Sequence, residues 1–399
     1  MLNLAALRKR HDALNRGFLP VALSLALLGL SGCSSDGEEV IGPKPLPKFK
    51  NEFAIKEVWS RDVGEGQGDS WLHLTPVVQD DRIYTVGAEG RITALNRMTG
   101  EVLWKTNLKR RISGGVGAGE GLVLVGSRDG HVIALSDKDG TQRWESSVSS
   151  EILVAPQIGR GVVVAQTVDS KLTGLDAETG KQLWLQETTQ PILTLRGTST
   201  PLIEGDSVFA GFANGEVRAY RLDSGSPLWD SRVATPKGTS ELERMVDVEA
   251  TPLMSSDQLY MVSYQGSIVA IDPVNGRVLW SREASSYEGM SEGFGNLYLT
   301  DSESALSGVD QRTGRVVWSQ KDLQHRSLSG PSVLGSQILA GDFEGYLHAV
   351  SQVDGQIVGR TKVNSSGIRV RPLVVDDTAY VYTNNGELAA LRLESRTSN

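Results

Sequence analysis

An all-β fold, an eight-bladed β-propeller of four-stranded antiparallel blades, is predicted by three features of this 399-residue sequence. A turn glycine followed four residues later by tryptophan recurs at Gly100/Trp104, Gly140/Trp144, Gly180/Trp184, Gly225/Trp229, Gly276/Trp280 and Gly314/Trp318. Between the copies, short runs of alternating apolar residues are broken by Asp-Gly, Asn-Gly or Thr-Gly, which is the hairpin signature. Finally, the strand count closes only if the two ends of the chain share a blade.

The period comes first. Trp59 repeats the tryptophan without the glycine, and Gly355 opens a copy in which Gly359 replaces the tryptophan. The steps between positions 59, 104, 144, 184, 229, 280, 318 and 359 are 45, 40, 40, 45, 51, 38 and 41 residues. A period near 40 means stacked supersecondary units. The unit ending at Trp144 shows their content. Val116 starts a weak first strand, and Gly121–Gly126 forms a second. Arg128-Asp129-Gly130 turns into a third strand, His131–Leu135. Lys138-Asp139-Gly140 turns into the fourth, Thr141–Glu145. Such a sheet cannot bury both faces alone, whereas radial packing of several sheets does so.

Sets of three strands begin near Pro76, Val116, Pro156, Pro201, Pro252, Gly293, Pro331 and Pro372, and fourth strands sit at the eight marker positions. The first fourth strand has no set before it, and the last set has no fourth strand after it. Pairing Ile55–Arg61 with Glu387–Leu393 completes the eighth blade and removes open edges. The tryptophans are then large aromatic packing elements between blades. An open eight-member solenoid is the alternative arrangement. Deleting residues 52–62 separates the two: a propeller loses cooperative unfolding, a solenoid loses one end.

The N-terminus reads as an address. Arg8, Lys9, Arg10 and Arg16 precede an apolar run of 13 residues, Phe18–Leu30. That is shorter than the roughly 20 residues of a membrane span and has the proportions of a secretory signal. The run ends in Leu30-Ser31-Gly32-Cys33, which resembles a bacterial lipobox. Cleavage before Cys33 and acylation of its thiol would anchor the chain, and several acyl chains hold far more firmly than one. Ser34 in place of Asp resembles the outer-membrane sorting pattern. The expected organisation is a signal peptide at 1–32, a lipidated Cys33 with a flexible tether to 52, the propeller at 53–395, and a disordered tail at 396–399.

The formal charge is −8, and −11 once residues 1–32 are removed. Phosphate backbones would repel such a surface, so nucleic acid is excluded as a partner. Cys33 is the single cysteine, which excludes a disulfide framework and multi-Cys metal sites. His11, His73, His131, His325 and His348 lack metal-ligand spacing. There is no calcium loop and no Gly-x-Ser-x-Gly elbow. The Gly-rich segments at 64–68 and 114–117 open no helix and so are not phosphate loops. No catalytic residue, cofactor or metal site is expected.

Function is sought where the period stretches. The steps of 45 and 51 residues after Trp184 place their excess in the connections Thr188–Ser199 and Ala234–Ala250. Both flank the blade of Trp229 and, by the strand order, lie on one face. The first carries Pro191-Ile192-Leu193-Thr194-Leu195-Arg196, the second Glu241–Glu249. An apolar pair ringed by Arg and carboxylates fits a protein-binding patch; capping of the blade edges by Leu193 and Leu195 is the alternative. A third long connection, Gly64–Leu74 with Trp71, is either a second contact surface or a plug at the channel mouth.

The run Ala94–Trp104 reads Ala-Leu-Asn-x-x-Thr-Gly-x-x-x-Trp and resembles the quinoprotein, or PQQ-like, propeller repeat. Gly174-Leu175-Asp176…Gly180…Trp184 and Ala270-Ile271-Asp272…Gly276…Trp280 repeat the match. Quinoprotein dehydrogenases carry a redox cofactor and Ca²⁺ at the propeller centre, many with an adjacent Cys pair that this chain lacks. With its lipobox and Pro-containing tether, the chain instead resembles the BamB family, the lipoprotein subunits of the outer-membrane β-barrel assembly machinery. Leu193-Thr194-Leu195-Arg196 and Asp247-Val248-Glu249 carry the most specific likeness. The resemblance implies that Leu193, Leu195, Arg196 and Asp247 contact BamA through a periplasmic POTRA domain. Glu249 stands where the family pattern has a second Asp. It further implies a non-enzymatic scaffold at the outer membrane, facing the periplasm. Other subunits of the machinery would be met indirectly, and nascent outer-membrane proteins are further candidates, with strand addition as one mode. A periplasmic PQQ-dependent quinoprotein dehydrogenase and a propeller scaffold of another envelope complex are the other readings of the residues.

Overall fold

The hairpin turns are set by side chains placed where the sequence pattern put them. Asp176 Oδ1 accepts from Thr179 N at 2.8 Å and Thr179 Oγ1 at 2.6 Å, and Asp310 repeats the arrangement with Thr313 at 2.9 and 2.6 Å. Asp or Asn before Thr-Gly is therefore a turn device that mimics a backbone turn. In the computed structural model these hairpins assemble into 32 strands in eight four-stranded antiparallel sheets. The structure describes residues 42–68 and 71–396. Cys33, the expected signal segment 1–32 and residues 397–399 lie outside the described residues.

Blades 1 to 7 span residues 77–107, 112–147, 157–187, 202–232, 253–284, 291–320 and 332–362. Blade 8 joins residues 373–395 to the N-terminal strand Phe53–Asp62. The closure is the expected one: Ile55 pairs with Leu393 and Arg61 with Leu388. The ring is thus an eight-bladed propeller and not an open solenoid. One boundary differs from expectation. The first strand of blade 2 runs Ile112–Gly119, with irregular register between Ile112 and Val116, so its start at Val116 marked only the regular part.

The repeat marker works across junctions rather than within a blade. Each ladder slips by one residue just before its tryptophan, as between Ala94/Leu95 opposite Trp104. Such a bulge re-aims a side chain. The ring then reaches the next blade, where its N–H finds a backbone carbonyl. Trp59 reaches Arg97 O at 3.1 Å, Trp104 Asp137 O at 2.9 Å, Trp144 Ala177 O at 2.8 Å and Trp184 Leu222 O at 2.9 Å. Trp229, Trp280 and Trp318 repeat the bond to Pro273 O, Gln311 O and Gln352 O.

The glycine of the following copy closes over the same ring. At Gly140 the backbone has φ of +70°, and a Cβ would stand 2.5 Å from the Trp104 ring. Glycine is needed there twice over, for the left-handed backbone and for the close approach. The pairs run Gly100 on Trp59, Gly140 on Trp104, Gly180 on Trp144, and so on to Gly355 on Trp318. The two irregular copies are one junction seen from both sides. Between blades 7 and 8 there is no turn glycine, because the chain ends lie there, and Gly359 stands where the tryptophan would. A Cβ on Gly359 would stand 2.9 Å from Phe53 O, so the N-terminal strand occupies that space. Phe53 packs with Ile55, Val374 and Leu393 on the cluster holding Val358 and Ile368.

Residues 42–52 differ from the free tether expected. Lys44 N donates to Gln324 O at 3.1 Å, and Glu52 N to Val358 O at 2.8 Å. Leu46 and Phe49 pack on the apolar cluster between blades 6 and 7. Arg396, expected at the head of a disordered tail, donates its N–H to Glu52 O at 2.8 Å.

Candidate partner-binding face

Connections between blades and the turns between second and third strands lie on one face of an up-and-down propeller. The two stretched connections meet there. The N–H of Leu195 donates to Asp247 Oδ2, and Ser199 Oγ donates to Ala250 O at 3.1 Å. The expectation that the 188–199 and 234–250 segments are neighbours on the same face therefore holds in the geometry.

The predicted site residues separate into two groups. Leu193 is 41% exposed, Ile192 beside it is 91% exposed, and Leu195 is half-buried. Arg196 is exposed and pairs with Glu151 at 2.7 Å, where Arg128 also approaches at 3.9 Å. Ile192, Leu193 and Arg196 are exposed to solvent, whereas Leu195 is only partly so. Asp247 is different. It is 1% exposed, flanked by buried Val246 and Val248, and holds the first loop in place from beneath. Expected among the contacts, it is a positioning residue in this geometry. Glu249 lies half-buried against Gly197, where a Cβ would stand 2.2 Å from its carboxyl carbon. A side chain at 197 would push the loop off the carboxylate.

The acids beneath the loop are held in a dry setting. Burial raises Asp247 to about 6. Burial, then Asp247 and Glu288, raise Glu249 to about 8. Glu288 is raised to about 7 by burial, against the opposing effects of the Gly330 N–H and Arg371. Desolvation disfavours the charged form of each acid. Asp247 Oδ1 and Glu249 Oε1 find no hydrogen-bond partner among the described residues. Asp247 Oδ2 stays free to accept from Leu195.

A cavity of about 220 Å³ opens beside the loop, lined by Arg196, Gly197, Glu249, Glu288, Arg371 and Trp71 among others. In the connection after Asp62, Leu72 and Leu74 are buried, and the Leu74 N–H donates to Gln67 Oε1 at 2.8 Å. Trp71 remains 75% exposed over Arg369, whose guanidinium lies 4.3 Å from the ring centre. Among the described residues no group of three or more His, Cys, Asp or Glu is placed to hold a metal.

Comparison with known proteins decides the family. The sequence matches the family described as outer membrane protein assembly factor BamB over residues 88–320 and 302–398. A protein of that name from Pseudomonas aeruginosa is 56% identical over 370 residues, covering 93% of this chain and 97% of its own length. The chain belongs to the BamB family. The crystal structure of BamB from Moraxella catarrhalis superposes with a TM-score of 0.78 at 25% identity, covering 85% of this chain and 100% of that one. A quinohemoprotein alcohol dehydrogenase from Comamonas testosteroni reaches a TM-score of 0.67 at 14% identity, over 86% of this chain and 78% of that one. At that identity the likeness is one of fold alone. The BamB resemblance drawn from Leu193–Arg196 thus holds at the level of the family. Sequence reasoning missed Glu151, which sits in an ordinary-length connection, and Glu288, which joins the acids only through the ring.

Proposed function

We propose that this protein is a non-enzymatic scaffold of the outer-membrane β-barrel assembly machinery, anchored by lipid on Cys33 and facing the periplasm. Its partner is BamA, met through a POTRA domain. Ile192, Leu193, Leu195 and Arg196 form the contact patch, and Asp247 and Glu249 hold that patch in shape. Other subunits are reached through BamA, and nascent outer-membrane proteins are further candidate clients. The carrying observation is the Leu195–Asp247 bond. It fixes the two stretched connections into one surface beside the blade of Trp229. Apolar side chains beside an arginine are the composition of binding hot spots.

Affinity purification in mild detergent tests this reading. The wild-type chain is expected to recover BamA, and Leu193→Ala/Arg196→Ala to lose most of it. Equal recovery by both would show the patch to be elsewhere, and no recovery by either would remove BamA as partner. Incubation with PQQ and Ca²⁺ in a dye-linked alcohol assay is expected to give no turnover; turnover would overturn the scaffold reading.

A further inference from the structure

The groove between blades 6 and 7 is a binding site for the chain's own N-terminal segment. Two arginines form its floor. Arg326 is 3% exposed and is held by Asp342 at 2.8 Å. Its free N–H reaches Lys44 O at 3.0 Å. Arg360 donates to His348 Nδ1 at 3.0 Å, and His348 Nε2 meets Asp342 at 3.1 Å. Arg360 also reaches Pro47 O at 3.2 Å and lies 4.8 Å from the centre of the Phe49 ring. One buried relay thus aims two guanidinium groups at successive carbonyls of the same segment. Lys44 Nζ adds bonds to Lys321 O at 3.0 Å and Gln324 Oε1 at 2.9 Å.

The covered strand shows the effect. Val358 of blade 7 is 7% exposed, whereas its counterparts Leu103, Leu183 and Val317 are 43, 49 and 51% exposed. The direction of the segment matters as much as its contacts. Lys44 meets residues 321–326, which lie in a connection between blades and so on the face of the 188–199 and 234–250 loops. Glu52 meets Val358 at the opposite end of its strand. The segment therefore crosses the whole outer wall of the ring and leaves it on the loop face.

We propose that residues 43–52 are an orienting strap that starts the tether to the lipid anchor at Lys44 on the loop face, and so turns that face toward the membrane. This rests on the lipid-anchor reading of Cys33. With the strap docked, about ten residues separate Cys33 from the ring, a reach of at most ~35 Å. Released, the leash would begin at Phe53 on the far face and double to about 20 residues, or ~70 Å. The strap halves the leash and chooses the side from which it leaves.

The test uses the full lipidated chain on phosphatidylethanolamine/phosphatidylglycerol vesicles carrying an acceptor-labelled lipid. Acylation would occupy the only native cysteine, so a donor can be placed singly at Lys237→Cys on the loop face or Val353→Cys on the opposite face. Energy transfer is expected to be greater from position 237, and the difference to vanish in Leu46→Asp/Phe49→Asp. Amide exchange provides the check on folding. Lys44 N–H is expected to be protected in the wild type and to lose protection in the double variant, while the propeller strands keep theirs. Vesicle-bound protein with equal transfer from both faces, or an unprotected Lys44 amide in the wild type, overturns the strap. Failure of the chain to bind vesicles overturns the anchor reading instead.

Discussion

The junction between blades 3 and 4 and the loop that follows it are a few residues apart in sequence and are built to opposite rules. At the junction, Trp184 is 6% exposed, its N–H is satisfied by Leu222 O, and Gly225 closes over its face. Eight residues on, Ile192 is 91% exposed. Beneath it, Asp247 and Glu249 each keep a buried oxygen with no partner. The junction completes itself with groups from this chain. The loop leaves apolar surface in water and tolerates buried acids, so its shape is not explained by stability. A ring that is secure without its loops can carry such a surface.

Mutation should break this contrast into separate readouts. The largest effect is expected at the junction: Trp184→Ala removes a buried ring and a satisfied donor, a loss of ~3–5 kcal/mol in urea unfolding. A change below ~1 kcal/mol would show that the ring is not what holds neighbouring blades. Next comes the patch. Leu193→Ala/Arg196→Ala should weaken BamA capture at least ~tenfold, equivalent to ~1.4 kcal/mol, while stability moves by no more than ~0.5 kcal/mol. Should the urea midpoint fall along with binding, the patch would be part of the core and the contrast would collapse.

Asp247→Ala sits between the two. It frees the Leu195 N–H and is expected to cost ~1–3 kcal/mol, with faster proteolysis in 188–199. Asp247→Asn keeps an acceptor and should behave like the wild type; if it fails as badly as alanine, charge rather than the bond is at work. The smallest effect is set by pH. Asp247 at about 6, Glu288 at about 7 and Glu249 at about 8 all lie above ordinary carboxylate values. The folded chain therefore binds these protons more tightly than the unfolded chain. Their contribution is full at low pH and declines as pH rises through 6 to 8. Protection of the Leu195 amide, corrected for intrinsic exchange, should fall from about pH 5.5 to 8. A flat profile would indicate that water reaches the acids.

The ring was legible because its signal is periodic and covalent spacing survives folding. Gly-x-x-x-Trp gave blade number, and Trp59 without a glycine pointed to the closing strand. The stretched intervals located the two loops, and strand order alone made them neighbours. What stayed hidden was side-chain direction. Nothing in Asp247-Val248-Glu249 says that the first acid points into the ring, since both flanking valines are compatible with either face. Glu151 was invisible because its connection has ordinary length. The docking of residues 44–52 is hidden for a compositional reason: Pro43-Lys44-Pro45-Leu46-Pro47 resembles a solvated spacer, and Leu46 and Phe49 are too few to form a period. Their docking depends on Arg326 and Arg360, which lie some 280 to 310 residues away.

The displacement between a tryptophan and the glycine that covers it has a consequence for how such a chain can change length. Each repeat owns a ring for the unit after it and a lid for the unit before it. A whole repeat copied in phase brings both halves, and every new boundary is then matched at once. The seam at Phe53 and Gly359 is the exception, because neither half of the clasp is present there. Duplication can occur anywhere along the array without disturbing that seam, so the number of blades and the means of closing them are free to vary independently over descent.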